Sequence, residues 1–257
     1  MGTILDAFRL DGRVALVTGA SSGLGQAMAI ALAEAGADVA CHGFIPTPED
    51  TVGRVRAIGR RAAGLVTDLG DPAAAVRLVD EAEAALGPID ILVNNAGIIR
   101  RAPAAEHGDA DWDAVIGVNL SAPFRLAREV GRRLIARGAR AGRIVNTASL
   151  LAFQGGILVP SYAAAKGGLA QLTKALANEW AVHGITVNAI APGYMATANT
   201  QALRADPVRS RQILERIPAG RWGEPGDLAG AAVFLASPAS AYVTGHVLVV
   251  DGGWLAR

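Results

Sequence analysis

Cysteine is almost absent from this chain, because Cys41 is the single one among 257 residues. One thiol cannot form an intramolecular disulfide, which excludes the disulfide-stapled secreted domains and favours a reducing compartment. Its position in an apolar run predicts a buried, inert thiol rather than a catalytic one. The histidines are equally uninformative, since no second ligand follows any of them at a metal-like spacing. We therefore expect no metal at His42, His107, His183 or His246.

The chain also lacks an excess of charge of either sign and any long hydrophobic run. Its 24 basic and 23 acidic residues leave a formal charge of +1, which gives no support for a nucleic-acid partner. No stretch reaches the ~18 apolar residues of a membrane span, and the first ten residues lack the apolar core of a signal peptide. We expect no membrane partner and a cytoplasmic location. Hydrophobic residues, at 51%, suffice for a large core.

Short β-branched runs alternate with longer helical patterns along the whole chain. Most of the runs are apolar without alternation, as in strands covered by helices on both faces, so a parallel sheet is predicted. The pattern predicts an α/β fold, one doubly wound sheet of about seven strands forming a single domain over residues 1–257. We place strands at 13–18, 38–41, 64–67, 89–94, 142–147, 186–191 and 246–250, and helices at 23–35, 51–60, 72–86, 111–137, 162–183 and 224–236.

A glycine-rich turn follows the first predicted strand and opens the first helix. Its spacing, Gly19-x-x-x-Gly23-x-Gly25, departs from the commoner Gly-x-Gly-x-x-Gly. Glycine lets backbone approach a pyrophosphate closely, and a helix N-terminus offers free N–H groups with a partial positive charge. The turn therefore predicts a dinucleotide-binding site.

Tyr162 and Lys166 stand four residues apart, and Ser149 precedes the tyrosine by thirteen. Residues four apart share one face of a helix. A cation about 4 Å from a phenol, at an effective dielectric near 20, is worth roughly 4 kcal/mol or about 3 pKa units. We expect Lys166 to bring the pKa of Tyr162 close to neutrality, which suits a general acid/base. Taken alone, such a pair is also common on an exposed helical face.

Together, the turn at 18–25, Asn94-Asn95-Ala96-Gly97, Asn119, Ser149, Tyr162, Lys166 and Pro192-Gly193 resemble the short-chain dehydrogenase/reductase superfamily over nearly the whole chain. The resemblance implies hydride transfer between a nicotinamide and a secondary alcohol or its ketone. It implies catalytic roles for Asn119, Ser149, Tyr162 and Lys166. It also implies dinucleotide contacts from Gly19, Ser21, Ser22, Gly23, Leu24, Gly25, Asp68, Leu69, Asn95, Ala96, Gly97, Tyr162, Lys166, Pro192, Gly193 and Thr197.

Two of these implied roles have alternatives. Asp68 would cap the adenine edge, with a turn residue or helix cap before Asp71 and Pro72 as the alternative. Asn119, implied to extend a proton relay, lies inside a helical pattern that asparagine disfavours, so a local kink without a proton role is the alternative.

The choice of dinucleotide depends on the end of the second strand, where NAD enzymes of this fold place an acid. The segment 40–44 has neither an acid nor an arginine, and Ser22 stands where NADP enzymes often have a basic residue. A 2'-phosphate would be left unpaired, at a greater cost than an unpaired hydroxyl. We therefore expect NAD.

The segment 194–218 is longer than a normal crossover and rich in small polar residues, which predicts a substrate lid, with an inert surface helix pair as the alternative. Several strings, among them 97–101, 191–197 and 217–223, resemble the branch that oxidises deoxy sugar acids, 2-deoxy-D-gluconate at C3 or 2-dehydro-3-deoxy-D-gluconate at C5. We expect substrate contacts from Ser149, Gln154, Tyr162 and Arg101, with Asn199 and Trp254 nearby. Arg100 or Arg101 would bind the carboxylate, unless both are merely solvated.

Gluconate 5-dehydrogenases and 3-oxoacyl-carrier-protein reductases share every core motif and stay open as alternatives. A non-catalytic dinucleotide-binding regulator is disfavoured by the intact Ser149, Tyr162 and Lys166. Relatives of the superfamily are mostly tetramers, so the resemblance implies a homotetramer with residues 162–183 and 247–250 at its interfaces.

Overall fold

Seven parallel strands form a single sheet in the computed structural model, which describes residues 2–139 and 141–257. The strands are β1 (Val14–Val17), β2 (Asp38–Gly43), β3 (Ala62–Val66), β4 (Ile91–Asn94), β5 (Arg143–Thr147), β6 (Thr186–Pro192) and β7 (Val247–Val250). Their order across the sheet is β3-β2-β1-β4-β5-β6-β7, with every neighbouring pair parallel. The predicted fold class, a doubly wound sheet of about seven strands, is confirmed.

Helices cover both faces of this sheet. The α-helices of the described residues are α1 (Gly23–Glu34), α2 (Glu49–Ala57), α3 (Ala74–Leu86), α4 (Asp109–Ile116), α5 (Ala122–Ala136), α6 (Pro160–Trp180), α7 (Gln201–Ala205), α8 (Pro207–Arg216) and α9 (Ala229–Ala236). One apolar core joins the sheet to α3, α5 and α6, and a second joins it to α1, α2 and α9. Strands between two such layers are buried at every residue, as β1, β4, β5 and β6 are.

The helix predicted at 111–137 is wrong in one respect, because it is two helices with a π-helical turn, Gly117–Ser121, between them. The hydrophobic spacing continues through the turn, so periodicity alone gave no sign of the extra residue. The turn places the buried Asn119 side chain against Ile98 in the loop after β4. Strand β3 begins at Ala62, two residues before its predicted start, and α9 begins at Ala229, after a 3-10 turn at Pro225–Leu228.

The segment 194–218 contains the helix pair α7 and α8. Asp206 caps α8 by accepting from the N–H groups of Val208 and Arg209, and Pro207 occupies its first turn. None of the helices in the described ranges has the length and apolar character needed to cross a membrane.

Candidate active site

The strand order reverses between β1 and β4, and the crevice outside the carboxyl ends of these strands is where doubly wound sheets bind ligands. The turn after β1, the Asn95 to Gly97 segment after β4 and Ser149 after β5 all meet at this edge. Asn95 joins the three strand ends, since its Nδ2 donates to the carbonyls of Thr18 (3.0 Å) and Gly19 (3.2 Å) and its Oδ1 accepts from Thr147 Oγ1 at 3.4 Å. Ala96 and Gly97 follow at the accessible edge.

The glycine turn is folded too tightly for side chains at its key positions. Gly19 and Gly23 have φ values of +64° and +56°, the left-handed region that favours glycine. A Cβ at Gly25 would lie 2.1 Å from the carbonyl oxygen of Gly19. Helix α1 begins at Gly23 with Ser22 at its N-cap, so its first N–H groups have no acceptor within the helix. This arrangement fits a pyrophosphate lying across Ser22, Gly23, Leu24 and Gly25.

Ser21 and His42 hold the glycine turn in place through hydrogen bonds. The Ser21 hydroxyl donates to the carbonyl of Pro46 at 2.6 Å, which ties the turn to the loop after β2. The Gly19 N–H donates to Nδ1 of His42 at 3.4 Å, and Nε2 of His42 lies 2.9 Å from the Thr67 carbonyl. Because a carbonyl only accepts, the proton sits on Nε2, and burial lowers the pKa of His42. Sequence reasoning missed this residue, whose one signal was its place at the end of β2.

Asp68 follows β3 and lies exposed at the same edge of the sheet. Its Oδ1 accepts from the Gly70 N–H at 2.8 Å, so the carboxylate does form the local turn that was the alternative interpretation. The other carboxylate oxygen has no donor among the described residues. Leu69 beside it is buried. An adenine contact from Asp68 stays a prediction.

Tyr162 and Lys166 lie in the first two turns of α6, next to Ser149. Lys166 is buried, at 3% exposed, and its ammonium donates to the Thr147 carbonyl at 2.5 Å and lies 5.5 Å from the centroid of the Tyr162 ring. Ser149 Oγ accepts from the Leu151 N–H at 3.2 Å, and Ser149 and Tyr162 line the same cavity. The sequence trio is therefore one cluster.

The electrostatics of this cluster differ from the prediction. Burial raises the pKa of Tyr162, and this outweighs the opposing effects of the Ser149 hydroxyl and the Arg101 charge. Burial also lowers the pKa of Lys166 to about 8. The expectation that Lys166 brings the Tyr162 pKa to neutrality is wrong for the protein by itself, because the ammonium is directed at Thr147 and both groups are desolvated.

Asn119 makes two hydrogen bonds to one residue, since its Oδ1 accepts from the Ile98 N–H and its Nδ2 donates to the Ile98 carbonyl, both at 2.8 Å. The side-chain amide is thus directed at the loop after β4 rather than at Lys166. The local distortion that was the alternative interpretation is present as the π-helical turn. A part in a proton relay stays a prediction for this residue.

A cavity of about 380 Å³ opens beside Ser149 and Tyr162. All four predicted substrate residues line it, including Gln154 and Arg101, whose Nη2 donates to the Asn199 carbonyl at 3.1 Å. Arg100 does not line it and instead lies 3.4 Å from Asp111 at the surface. The structure adds three side chains of α8 that sequence reasoning missed, Arg209, Gln212 and Arg216, and no acidic residue lines the cavity.

The end of β6 and the segment 194–218 that follows it contact both the cavity and the glycine turn. Pro192 and Gly193, at the end of β6, line the cavity, and the Gly193 N–H donates to the Val250 carbonyl at 2.9 Å. Thr197 lies against the glycine turn, where a Cβ built on Gly23 would be 3.6 Å from the Thr197 Cγ2.

Among residues 2–139 and 141–257, no cluster of three or more His, Cys, Asp or Glu is arranged to hold a metal ion.

Known proteins resemble this chain over nearly its whole length. A family model described as enoyl-(acyl carrier protein) reductase matches residues 19–255. The 2-dehydro-3-deoxy-D-gluconate 5-dehydrogenase of Dickeya dadantii is 55% identical over 254 residues, covering 99% of this chain and 100% of that protein. The protein of the same name from Escherichia coli is 54% identical with the same coverage.

A solved structure from Agrobacterium tumefaciens, a putative 2-deoxy-D-gluconate 3-dehydrogenase with bound NADP, superposes with a TM-score of 0.91. It is 57% identical, and the match covers 98% of this chain and 99% of that one.

Proposed function

The chain belongs to the short-chain dehydrogenase/reductase family, and we propose that it oxidises a deoxy sugar acid, 2-dehydro-3-deoxy-D-gluconate at C5, with NAD. The observation that supports this substrate class best is the cavity beside Ser149 and Tyr162. Three arginines and two glutamines line it, and no acidic residue does. Such a lining suits a small anion rich in hydroxyl groups.

The residues of the cluster then have distinct roles. Ser149 donates to the reacting oxygen, and Tyr162 takes up the hydroxyl proton during oxidation and returns it during reduction. Lys166, held by Thr147, places a positive charge beside the phenol and would bond the ribose of a bound dinucleotide, which would supply the hydride acceptor. The cradle of Gly19 to Gly25 would hold its pyrophosphate, and Asp68, Asn95, Pro192 and Thr197 would lie along it.

NAD is preferred over NADP in this proposal because of the loop after β2. Phe44, half exposed, is the first residue after β2. The segment 40–44 includes no lysine or arginine that could pair with a 2'-phosphate. The NADP bound in the Agrobacterium structure is the opposing observation. Steady-state kcat/KM with both dinucleotides decides the question, and a higher value with NADPH would overturn the NAD assignment.

Other family activities are tested by the same assay. Oxidation of 2-deoxy-D-gluconate at C3 and of gluconate at C5 are the neighbouring alternatives, since relatives have these names. A 3-oxoacyl-carrier-protein reductase is disfavoured because an acyl chain offers nothing to Arg209, Arg216 and Gln154. A non-catalytic regulator is disfavoured by the assembled Ser149, Tyr162 and Lys166.

The experiment is a panel of these sugar acids and an oxoacyl thioester, assayed with NADH and NADPH in the direction of reduction and with NAD and NADP in that of oxidation. We expect the highest kcat/KM with 2-dehydro-3-deoxy-D-gluconate and NAD. Faster turnover of the thioester would refute the proposal. A cytoplasmic location and a homotetramer belong to the proposal as well, supported by the free, buried Cys41 and by the half-exposed edge strand β7.

A further inference from the structure

Helix α8 presents one face to the substrate cavity. Arg209, Gln212 and Arg216 are spaced by three and four residues, which places them on one side of a helix, and all three line the cavity. Arg211 lies on the opposite side and is paired with Glu215 at 2.7 Å in open solvent. The two cavity-facing arginines form no ion pair with any carboxylate of the described chain. Both guanidinium groups line a cavity whose lining includes no acidic side chain.

Arg216 is held in place by the end of the chain. Its guanidinium lies 4.1 Å from the ring centroid of the buried Trp254, and the Arg257 side chain donates to the Arg216 carbonyl at 3.2 Å. Stacking occupies the flat face of a guanidinium and leaves the N–H donors around its edge for hydrogen bonds, one of which Arg216 Nη2 donates to Gln154 Oε1 at 3.5 Å. A guanidinium fixed in this way loses little conformational entropy when a carboxylate binds.

Gln154 adds a donor beside it. The Trp254 Nε1–H donates to the Gln154 side-chain oxygen at 3.2 Å, and because an indole N–H only donates, this assigns the oxygen to the Trp254 side. The amide NH₂ of Gln154 accordingly has both hydrogens free for the cavity. Arg216 and Gln154 together present only donors.

The charge of Arg101 acts on Tyr162, the proposed acid/base. Its positive charge lowers the pKa of the Tyr162 phenol, against the effect of burial, and its Nη2 is bonded to the Asn199 carbonyl. A substrate carboxylate bound at Arg101 would cancel the charge that favours the Tyr162 phenolate. A carboxylate bound on α8 leaves that effect intact.

We propose that the α8 face of Arg209, Gln212 and Arg216, with Gln154, is the carboxylate-binding subsite of the cavity, and that Arg101 serves the reacting end. This inference rests on the proposed sugar-acid activity and assigns its anionic group to named residues.

The test compares Arg216→Gln and Arg209→Gln with Arg211→Gln, a matched loss of one charge on the other side of the same helix. The readout is kcat/KM for the sugar acid and for its uncharged carboxamide. Loss of a charged hydrogen-bonded pair predicts a fall of about 10- to 100-fold for the acid in the Arg216 variant, with little change for the amide. The Arg211 variant should match the wild type with both. Equal losses for acid and amide, or no loss, would overturn the subsite.

A binding measurement separates this inference from the proposed function. Sodium D-gluconate is titrated calorimetrically into the protein with saturating NADH, in the wild type and in all three variants. Binding that Arg216→Gln weakens and Arg211→Gln preserves supports the subsite even when no deoxy sugar acid is turned over, a result that would refute the activity alone. Turnover of the sugar acid with unchanged acid-to-amide preference in both cavity variants would refute the subsite alone. No binding and no turnover would refute both.

Discussion

Asn119 holds Ile98 by two hydrogen bonds of 2.8 Å, one donated and one accepted, from the middle of a π-helical turn. The pair fixes the loop after β4, which begins with Asn95 to Gly97 at the proposed dinucleotide site and continues to Arg101 in the cavity beside Tyr162. One fully buried amide thus positions both ends of the active site.

Replacing Asn119 with Ala should destabilise the protein by about 2 to 3 kcal/mol, because both Ile98 backbone groups lose their partner. Urea denaturation of the variant measures the loss. Asn199→Ala is the control, since that side chain is exposed and only its backbone carbonyl is bonded to Arg101. Equal stability of the two variants would mean that the Ile98 bonds contribute nothing.

Tyr162→Phe should lower kcat by roughly 10² to 10⁴-fold, the usual contribution of a positioned acid/base. Binding of NADH should be nearly unchanged, because the ring still packs and only the hydroxyl is lost. Fluorescence titration with NADH and initial rates measure the two effects. Retention of more than about a tenth of the activity would exclude Tyr162 as the acid/base.

Arg101→Gln should move the pH profile of alcohol oxidation to higher pH. The Arg101 charge lowers the pKa of Tyr162, so its removal raises that pKa, and the phenolate needed as a base forms only at more alkaline pH. Arg100→Gln is the matched control, because Arg100 lies at the surface beside Asp111. The measurement is kcat/KM for oxidation from pH 6 to pH 10, and coincident profiles for the wild type and both variants would contradict the prediction.

Lys166 should make stability depend on pH in the alkaline range. Its pKa is lowered from 10.5 to about 8, so the unfolded chain binds more protons than the folded one between these values. The free energy of unfolding therefore rises with pH across this window. Relative to Lys166→Met, the wild type should gain about 3 kcal/mol between pH 7 and pH 11. Parallel stability curves for the two proteins would show that the Lys166 pKa is unshifted.

The sheet was predictable because strands buried on both faces leave an uninterrupted apolar signal, and the glycine turn because only glycine tolerates its geometry. The π-helical turn was not, since it depends on the hydrogen bonds that Asn119 makes to Ile98, 21 residues earlier in the chain. The α8 arginines were missed for a similar reason. Asp206 and Pro207 mark the start of that helix in the sequence, but which of its faces meets the cavity is decided by Trp254 and Arg257 at the far end of the chain.

The segment 194–218 lies against both proposed ligand sites, with Thr197 beside Gly23 of the glycine turn and α8 along the cavity. Any ligand that changes the freedom of this segment at one site changes the cost of ordering it at the other. Thermodynamic linkage makes the effect mutual, so the dinucleotide must alter the affinity for the sugar acid by the same factor as the sugar acid alters that for the dinucleotide. The affinity for the sugar acid therefore depends on which dinucleotide is bound, and the affinity for the dinucleotide depends on which sugar acid is bound.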